Sequence, residues 1–66
     1  MSWGHIQAHW KQLQRQAKLR WDRLTDEDTA RIKGHRETLI ACLQERYGYA
    51  HDRAQQEVRE WEHHLG

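Results

Sequence analysis

The sequence predicts an all-α fold, a small antiparallel bundle of four helices that forms one domain over residues 1–66. Three observations predict it. Proline is absent, apolar side chains recur every three or four residues along most of the chain, and two glycines, Gly34 and Gly48, separate the stretches that show this spacing. Apolar residues at this spacing form one stripe along an α-helix. Connections of only two or three residues favour antiparallel neighbours.

The first predicted helix spans about residues 4–22. Its apolar stripe consists of Trp3, Ile6, Trp10, Leu13, Ala17, Trp21 and Leu24. At about 100° per residue, Lys11, Arg15 and Lys18 lie on the opposite side of the helix and face water. Leu19 also lies on the polar side, so we expect its side chain to be exposed.

The second predicted helix is short, about residues 26–33, and carries signals at both ends. Thr25 is a suitable N-cap because its hydroxyl can accept a hydrogen bond from a first-turn N–H. Three acidic residues follow Thr25 and complement the positive end of the helix dipole. A helix of this length does not persist alone, so we expect Ala30 and Ile32 to pack on neighbouring helices.

The third and fourth predicted helices span about residues 35–47 and 50–64. The third buries Leu39, Ile40, Leu43 and Tyr47, and the fourth buries Ala54, Val58, Trp61 and Leu65. Gly48 should end the third helix in the left-handed conformation. Tyr49 then follows at a position where an apolar side chain often folds back onto the last helical turn.

Size and composition favour a folded, polar domain without an active site. A chain of 66 residues has a core that rarely supplies more than about 3–5 kcal/mol, which argues against a deep substrate cavity. Four Trp and two Tyr supply large buried areas. The chain lacks an apolar run that could span a bilayer and a signal-peptide pattern, and a single Cys cannot form an intramolecular disulfide. These features predict a cytoplasmic protein that does not insert into membranes.

The residues also resemble a known family. The matching segments are Trp10-Lys11-Gln12, Leu24-Thr25-Asp26-Glu27-Asp28, Gly34, Gln44-Glu45-Arg46-Tyr47-Gly48-Tyr49, Ala54, Glu57-Val58 and Trp61-Glu62. Together they resemble the CsbD-like family of small bacterial stress-response proteins, and in particular its aromatic-rich, enterobacterial-type branch. The resemblance implies a cytoplasmic helical bundle produced under general stress, and it implies no catalytic residues. Members often have Gly and then Lys where this chain has Ala41 and Cys42, so we expect Cys42 to lie at the margin of the core.

Catalysis is not indicated by any motif. Cys42 is the one candidate nucleophile, and the base nearest in its predicted helix, His35, is seven residues earlier. Seven residues correspond to about 10 Å along a helix, far beyond the hydrogen-bond distance that an activated nucleophile requires. The sequence therefore predicts a protein that is not an enzyme, with no cofactor and no small-molecule substrate.

Two histidine pairs lie near the ends of the chain. His5 and His9 are four residues apart and share a helical face, and His63 and His64 lie near the C-terminus. If the two ends were neighbours, these side chains could approach a Zn²⁺ or Ni²⁺ ion. Structural zinc sites usually combine Cys with more closely defined spacing, so we interpret the four as solvent-exposed histidines and predict no metal site.

The charge is unevenly distributed along the chain. Residues 1–24 hold five basic and one acidic side chain, a net charge of +4, whereas residues 25–66 hold six basic and nine acidic side chains, a net charge of −3. Lys11, Arg15 and Lys18 could bind phosphates non-specifically, with an affinity that falls steeply with salt. The chain as a whole carries only +1, well short of the strong basicity of a dedicated nucleic-acid binder.

Trp3 and Leu19 are the candidate interaction surface. Trp3 precedes the expected start of packed structure, and Leu19 is an apolar side chain on a polar helix face. Together they are the strongest indication in the sequence of a surface for self-association or protein interaction. The preferred interpretation is a stress-response structural or interaction module that contacts an unknown protein partner or a second copy of itself. The alternative is weak nucleic-acid binding through the basic face of the first helix.

Overall fold

The computed structural model describes residues 2–65, and every regular element in that range is an α-helix. In chain order these are α1 (Trp3–Ala8), α2 (Trp10–Arg20), α3 (Asp26–Ile32), α4 (Arg36–Tyr47) and α5 (His51–His64). The all-α prediction is confirmed. The one-domain prediction for residues 1–66 includes Met1 and Gly66, which lie outside the described residues. Among the helices of residues 2–65, none combines the length and the apolarity that crossing a membrane requires.

The prediction of one continuous helix over residues 4–22 is wrong. The chain breaks at His9 (φ −110°, ψ 25°) into α1 and α2. The N–H of Gln12 bonds the carbonyl of His9 at 3.0 Å, whereas a continuous α-helix would direct it to the carbonyl of Ala8. Helix α2 then ends at Arg20, and Trp21 adopts an extended conformation.

The indole of Trp61 explains this break. The ring centroids of Trp3 and Trp21 lie 6.3 Å and 5.4 Å from that of Trp61. In a straight helix the Cα atoms of residues 3 and 21 would lie about 27 Å apart, too far for both rings to reach one indole. The ring of Trp10 also packs edge-on against Trp61, at 6.4 Å. The chain therefore bends around Trp61, which lies at the centre of a cluster of four tryptophans.

Helix α3 confirms the predicted N-cap and corrects the predicted packing face. The Thr25 hydroxyl accepts a hydrogen bond from the Asp28 N–H, and the Asp28 carboxylate accepts one from the Thr25 N–H. Ala30 is exposed, whereas Asp28, Thr29 and Ile32 are buried. The buried face therefore follows an i, i+1, i+4 pattern, which points Ala30 to solvent. The helix ends one residue before the predicted limit because Lys33 is already left-handed, with φ at 50°.

The turn between α4 and α5 has the predicted geometry. Gly48 is left-handed, with φ at 69°, and its N–H bonds the carbonyl of Gln44. The ring of Tyr49 folds back and stacks on that of Tyr47, with centroids 5.2 Å apart. Arg23 lies over the ring of Tyr47 and Arg53 over the ring of Tyr49, so the stack ties the turn to the loop that follows α2.

Helix α4 buries a wider face than its apolar stripe predicts. It packs against both α3 and α5, which make the most extensive helix contacts among the described residues. Cys42 is consequently 0% exposed, and the expectation that it lies at the margin of the core is wrong. A helix that contacts neighbours on two sides buries the flank of its stripe as well as the centre.

Candidate interaction surfaces

Leu19 is exposed, as predicted, and lines a surface groove between α2 and α5. Leu19 is 72% exposed to solvent. The groove has a volume of about 300 Å³ and is lined by Gln16, Leu19, Arg20, Trp61, His64 and Leu65. Three of these are apolar, and the indole of Trp61 connects the groove to the core. The groove therefore places an exposed leucine beside further apolar surface. An apolar side chain of a partner protein can pack at such a place.

Ion pairs hold the two sides of this groove together. Arg20 on α2 lies 3.7 Å from Glu57 and 3.4 Å from Glu60, both on α5. The Trp21 indole N–H also donates to Glu57, at 3.3 Å. These contacts link α2 and the residue after it to α5 beside the groove.

Trp3 lies elsewhere and is packed, which corrects its predicted position. It is the first residue of α1, its side chain is half-buried against the core, and its indole N–H donates to Glu62 at 2.9 Å. The ring also contacts that of Trp61, and this contact holds α1 against α5. Trp3 is not among the residues that line the Leu19 groove, so the structure does not unite the two residues in one surface.

The predicted basic face is only partly available. Lys11 and Arg15 are exposed on α2, and neither forms an ion pair with any residue in the range 2–65. Lys18 is half-buried and forms an ion pair with Asp26 at the start of α3. Two of the three predicted cations therefore face solvent without an ion-pair partner among residues 2–65, and the third is paired with an exposed carboxylate at the surface.

The predicted histidine pairs do not gather into a metal centre. The Trp3–Glu62 hydrogen bond shows that the first and last helices are in contact. Even so, residues 2–65 contain no group of three or more His, Cys, Asp or Glu arranged to hold a metal ion. His5, His9, His63 and His64 are all exposed.

Cys42 contacts a cation instead of a base. The Arg31 guanidinium donates to the Cys42 sulfur at 2.9 Å and to the Glu45 carboxylate at 3.1 Å. The thiol is inaccessible to solvent, and its contact with Arg31 links α3 to α4. This arrangement does not present a nucleophile.

An ion pair that the sequence does not predict joins α3 to α4, between a buried carboxylate and an arginine that is partly exposed. Arg46 donates to the two Asp28 carboxylate oxygens at 2.7 Å and 2.9 Å. The Asp28 side chain is only 4% exposed. A Thr followed three residues later by an acid is the signal of a capping box, so the Thr25–Asp28 half could have been recognised. The approach of Arg46, eighteen residues further on, depends on the packing of two helices.

The environment of Asp28 lowers the pKa of its carboxyl group from 3.8 to about 2. The hydrogen bonds from Arg46 are the largest cause, burial opposes them by raising the pKa, and the Thr25 N–H and the positive charge of Arg46 lower it further. A carboxylate with charge-assisted, two-oxygen contacts of this kind is ionised throughout the neutral range.

Protonation of the Asp28 carboxylate should therefore lower the free energy of unfolding in acid. Because the pKa is lower in the folded state, the stabilisation is complete above about pH 5 and is lost as the pH falls through 3.8 towards 2. We expect a loss of about 1–2 kcal/mol, allowing for the exposure of Arg46 to solvent. Urea unfolding between pH 7 and pH 2.5 measures it. Asp28→Asn should flatten this acid dependence, whereas Glu37→Gln, at an exposed carboxylate, should retain it; equal slopes in both variants would contradict the assignment.

The fold and its surfaces define a small all-helical protein with a tryptophan-centred core and an apolar groove between α2 and α5. No family model and no solved structure matches the chain. It is similar to a UPF0337 protein of Pectobacterium atrosepticum, with 42% identity over 64 residues, covering 97% of this chain and 93% of the relative. It is also similar to a UPF0337 protein of Pseudomonas aeruginosa, with 48% identity, covering 91% of this chain and 92% of the relative.

The UPF0337 protein YjbJ of Escherichia coli K12 is a third relative, with 46% identity, covering 83% of this chain and 80% of the relative. The chain belongs to the UPF0337 (CsbD-like) family, which confirms the resemblance at the family level. A relative from Rhodopseudomonas palustris is 43% identical, so identity does not separate an enterobacterial branch from the others. None of these relatives carries an enzymatic name.

Proposed function

We propose that this protein is a general stress-response protein of the bacterial cytoplasm that has no catalytic activity and acts as a small structural or interaction module. Membership of the CsbD-like family supports this proposal. The proposal also includes one domain over residues 1–66, an antiparallel order of the helices, and a place in the enterobacterial-type branch of the family. The short connections between the helices support the antiparallel order.

The observation that carries the proposal is the exposed Leu19 beside the groove between α2 and α5. Protein interaction sites combine apolar groups at the centre with polar groups at the edge. Here Leu19 and Leu65 supply apolar surface, and Gln16, Arg20 and His64 supply polar groups around it. A volume of about 300 Å³ is at the small end of the range for ligand pockets, and it suits one or two side chains of a protein partner.

A second candidate function is weak nucleic-acid binding, and one observation favours it. Lys11 and Arg15 are exposed, are one helical turn apart on α2, and make no ion pair within residues 2–65. Each phosphate that such cations neutralise contributes about −0.9 to the slope of log affinity against log salt. Two cations can support only salt-sensitive, sequence-independent binding, which is why this candidate ranks second.

Photo-crosslinking in stressed bacterial cells tests both candidates together. A diazirine amino acid is placed at position 19 in the groove, at position 15 on the basic face, or at position 27, which is exposed on α3. The proposed function predicts discrete, protease-sensitive adducts from position 19 that position 27 does not form. The second candidate predicts nuclease-sensitive adducts from position 15.

Each outcome of this experiment has a defined meaning. An adduct of twice the chain mass at position 19 identifies a second copy as the partner, and a heavier adduct identifies another protein. Position 19 adducts no more abundant than those from position 27 would reject the groove as the interaction surface. An absence of nuclease-sensitive product at position 15 would reject the nucleic-acid candidate.

A further inference from the structure

The junction between α1 and α2 bends without a local sequence reason. Residues 7–12 contain neither Gly nor Pro, and sharp bends in helices usually occur at these residues or at an inserted group. The apolar spacing also continues across the junction, from Ile6 to Trp10 to Leu13. The side chain of His9 is exposed, so it does not hold the bend by packing. The local sequence therefore favours a continuous helix through His9.

The contacts that impose the bend come from distant parts of the chain. Ile6 is 0% exposed, and Trp3 contacts Trp61 and Glu62 on α5. A Cβ atom added to Gly34 would also lie 2.6 Å from the Cα of Gln7. This close approach shows that the backbone of α1 lies directly against the turn after α3.

Residues outside α1 and α2 contribute to the site that receives α1. Gly34 follows α3, and Trp61 and Glu62 belong to α5. An α1 helix from another molecule would meet the same atoms in the same geometry. The six-residue helix α1 therefore fits this site whether it belongs to the same chain or to a second one.

We propose that α1 is an exchangeable arm, and that the partner it fits is a second copy of this chain. In the exchanged dimer, α1 and α2 of each copy straighten about His9, and each α1 occupies the receiving site of the other copy. The contacts of Trp3, Ile6 and Gln7 are retained. The Gln12 N–H gains the carbonyl of Ala8 as its regular helical partner. Exchange of an identical element is a low-cost route to a dimer.

Concentration decides between the two states. Docking within one chain benefits from an effective concentration of about millimolar for a short connection, so the monomer prevails in dilute solution. The dimer should appear as the protein concentration approaches the millimolar range. A change at the hinge that favours a straight helix should lower the concentration at which it forms.

Two substitutions at the exposed position 9 form a matched pair for testing this proposal. His9→Ala favours a continuous helix, and His9→Gly disfavours it. Because each dimer contains two straightened hinges, the dimer dissociation constants of the two variants should differ by on the order of tenfold or more. Sedimentation velocity from micromolar to millimolar concentration measures these constants, and circular dichroism verifies that both variants are folded.

Isotope-filtered NMR distinguishes arm exchange from ordinary surface contact. Equal amounts of ¹³C,¹⁵N-labelled and unlabelled His9→Ala protein are unfolded together in urea and refolded at millimolar concentration. Arm exchange predicts nuclear Overhauser effects between chains for the pairs Trp3–Trp61 and Gln7–Gly34. The same effects should persist in a sample that also carries Leu19→Gln, because the arm does not use the groove.

Four results would each overturn the proposal. The first is a His9→Ala protein that stays monomeric at millimolar concentration. The second is an equal dissociation constant for the two hinge variants. The third is a dimer that lacks interchain effects for these pairs. The fourth is a dimer that is lost with Leu19→Gln; this outcome would support the groove as an interface and separate the two proposals.

Discussion

Replacing Trp61 with alanine should lower the free energy of unfolding by about 3–5 kcal/mol, the range for truncating a large buried aromatic side chain. Trp61 is almost fully buried, and its ring contacts those of Trp3, Trp10 and Trp21. A core of this size supplies only about 3–5 kcal/mol in total, so the variant should be largely unfolded at 25 °C. The substitution removes the one ring on which α1, α2 and α5 converge.

Far-UV circular dichroism with urea titration measures this effect. Trp61→Phe, which keeps an aromatic ring at the site, should retain the helical signal with a reduced urea midpoint. Leu19→Ala serves as the control because an exposed side chain should change the free energy of unfolding by less than about 0.5 kcal/mol. A loss below about 1 kcal/mol for Trp61→Ala would show that the four-tryptophan cluster does not organise the core.

Replacing Gly34 with alanine should lower the free energy of unfolding by about 2–4 kcal/mol, through two separate causes. The φ angle of Gly34 is +80°, a conformation that costs a residue with a Cβ atom about 1 kcal/mol or more. The added Cβ would also lie 2.6 Å from the Cα of Gln7. Since both groups belong to backbone segments, α1 must move away to relieve the overlap.

Gly48→Ala is a matched control that isolates the second cause. Its φ angle is also positive, at +69°, but an added Cβ would meet no atom within 4 Å. We expect a loss of about 1 kcal/mol there, measured by the same urea titration. Hydrogen exchange should show loosening of α1 in Gly34→Ala and not in Gly48→Ala. Equal losses at the two glycines would contradict the close approach of α1 to the turn after α3.

The helix ends were largely predictable because local interactions set them. The Thr25 cap, the left-handed Gly48 and the stacking of Tyr49 on the preceding turn all involve residues within a few positions of one another. The exposure of Leu19 was predictable for the same reason, since the periodicity of one helix determines it. Family membership also followed from the sequence.

The features that could not be predicted depend on contacts between distant residues. Arg46 reaches Asp28 across eighteen positions, and a charge pattern within one helix does not reveal such a partner. Cys42 is buried because α4 contacts two neighbours rather than one. In the candidate surface, the sequence identified Leu19 but not the groove, whose other side is formed by α5.

By itself, the sequence determined that this protein is all-helical, where most of its helices end, and which leucine faces water, because propensity, capping and periodicity act within a few turns of chain. Only the tertiary structure decided that the first predicted helix divides at His9. The local pattern favours a straight helix, but packing Trp3, Ile6 and Trp21 into the core that contains Trp61 removes apolar surface from water. The free energy that this contributes exceeds the cost of the hydrogen bonds lost in one interrupted turn of helix.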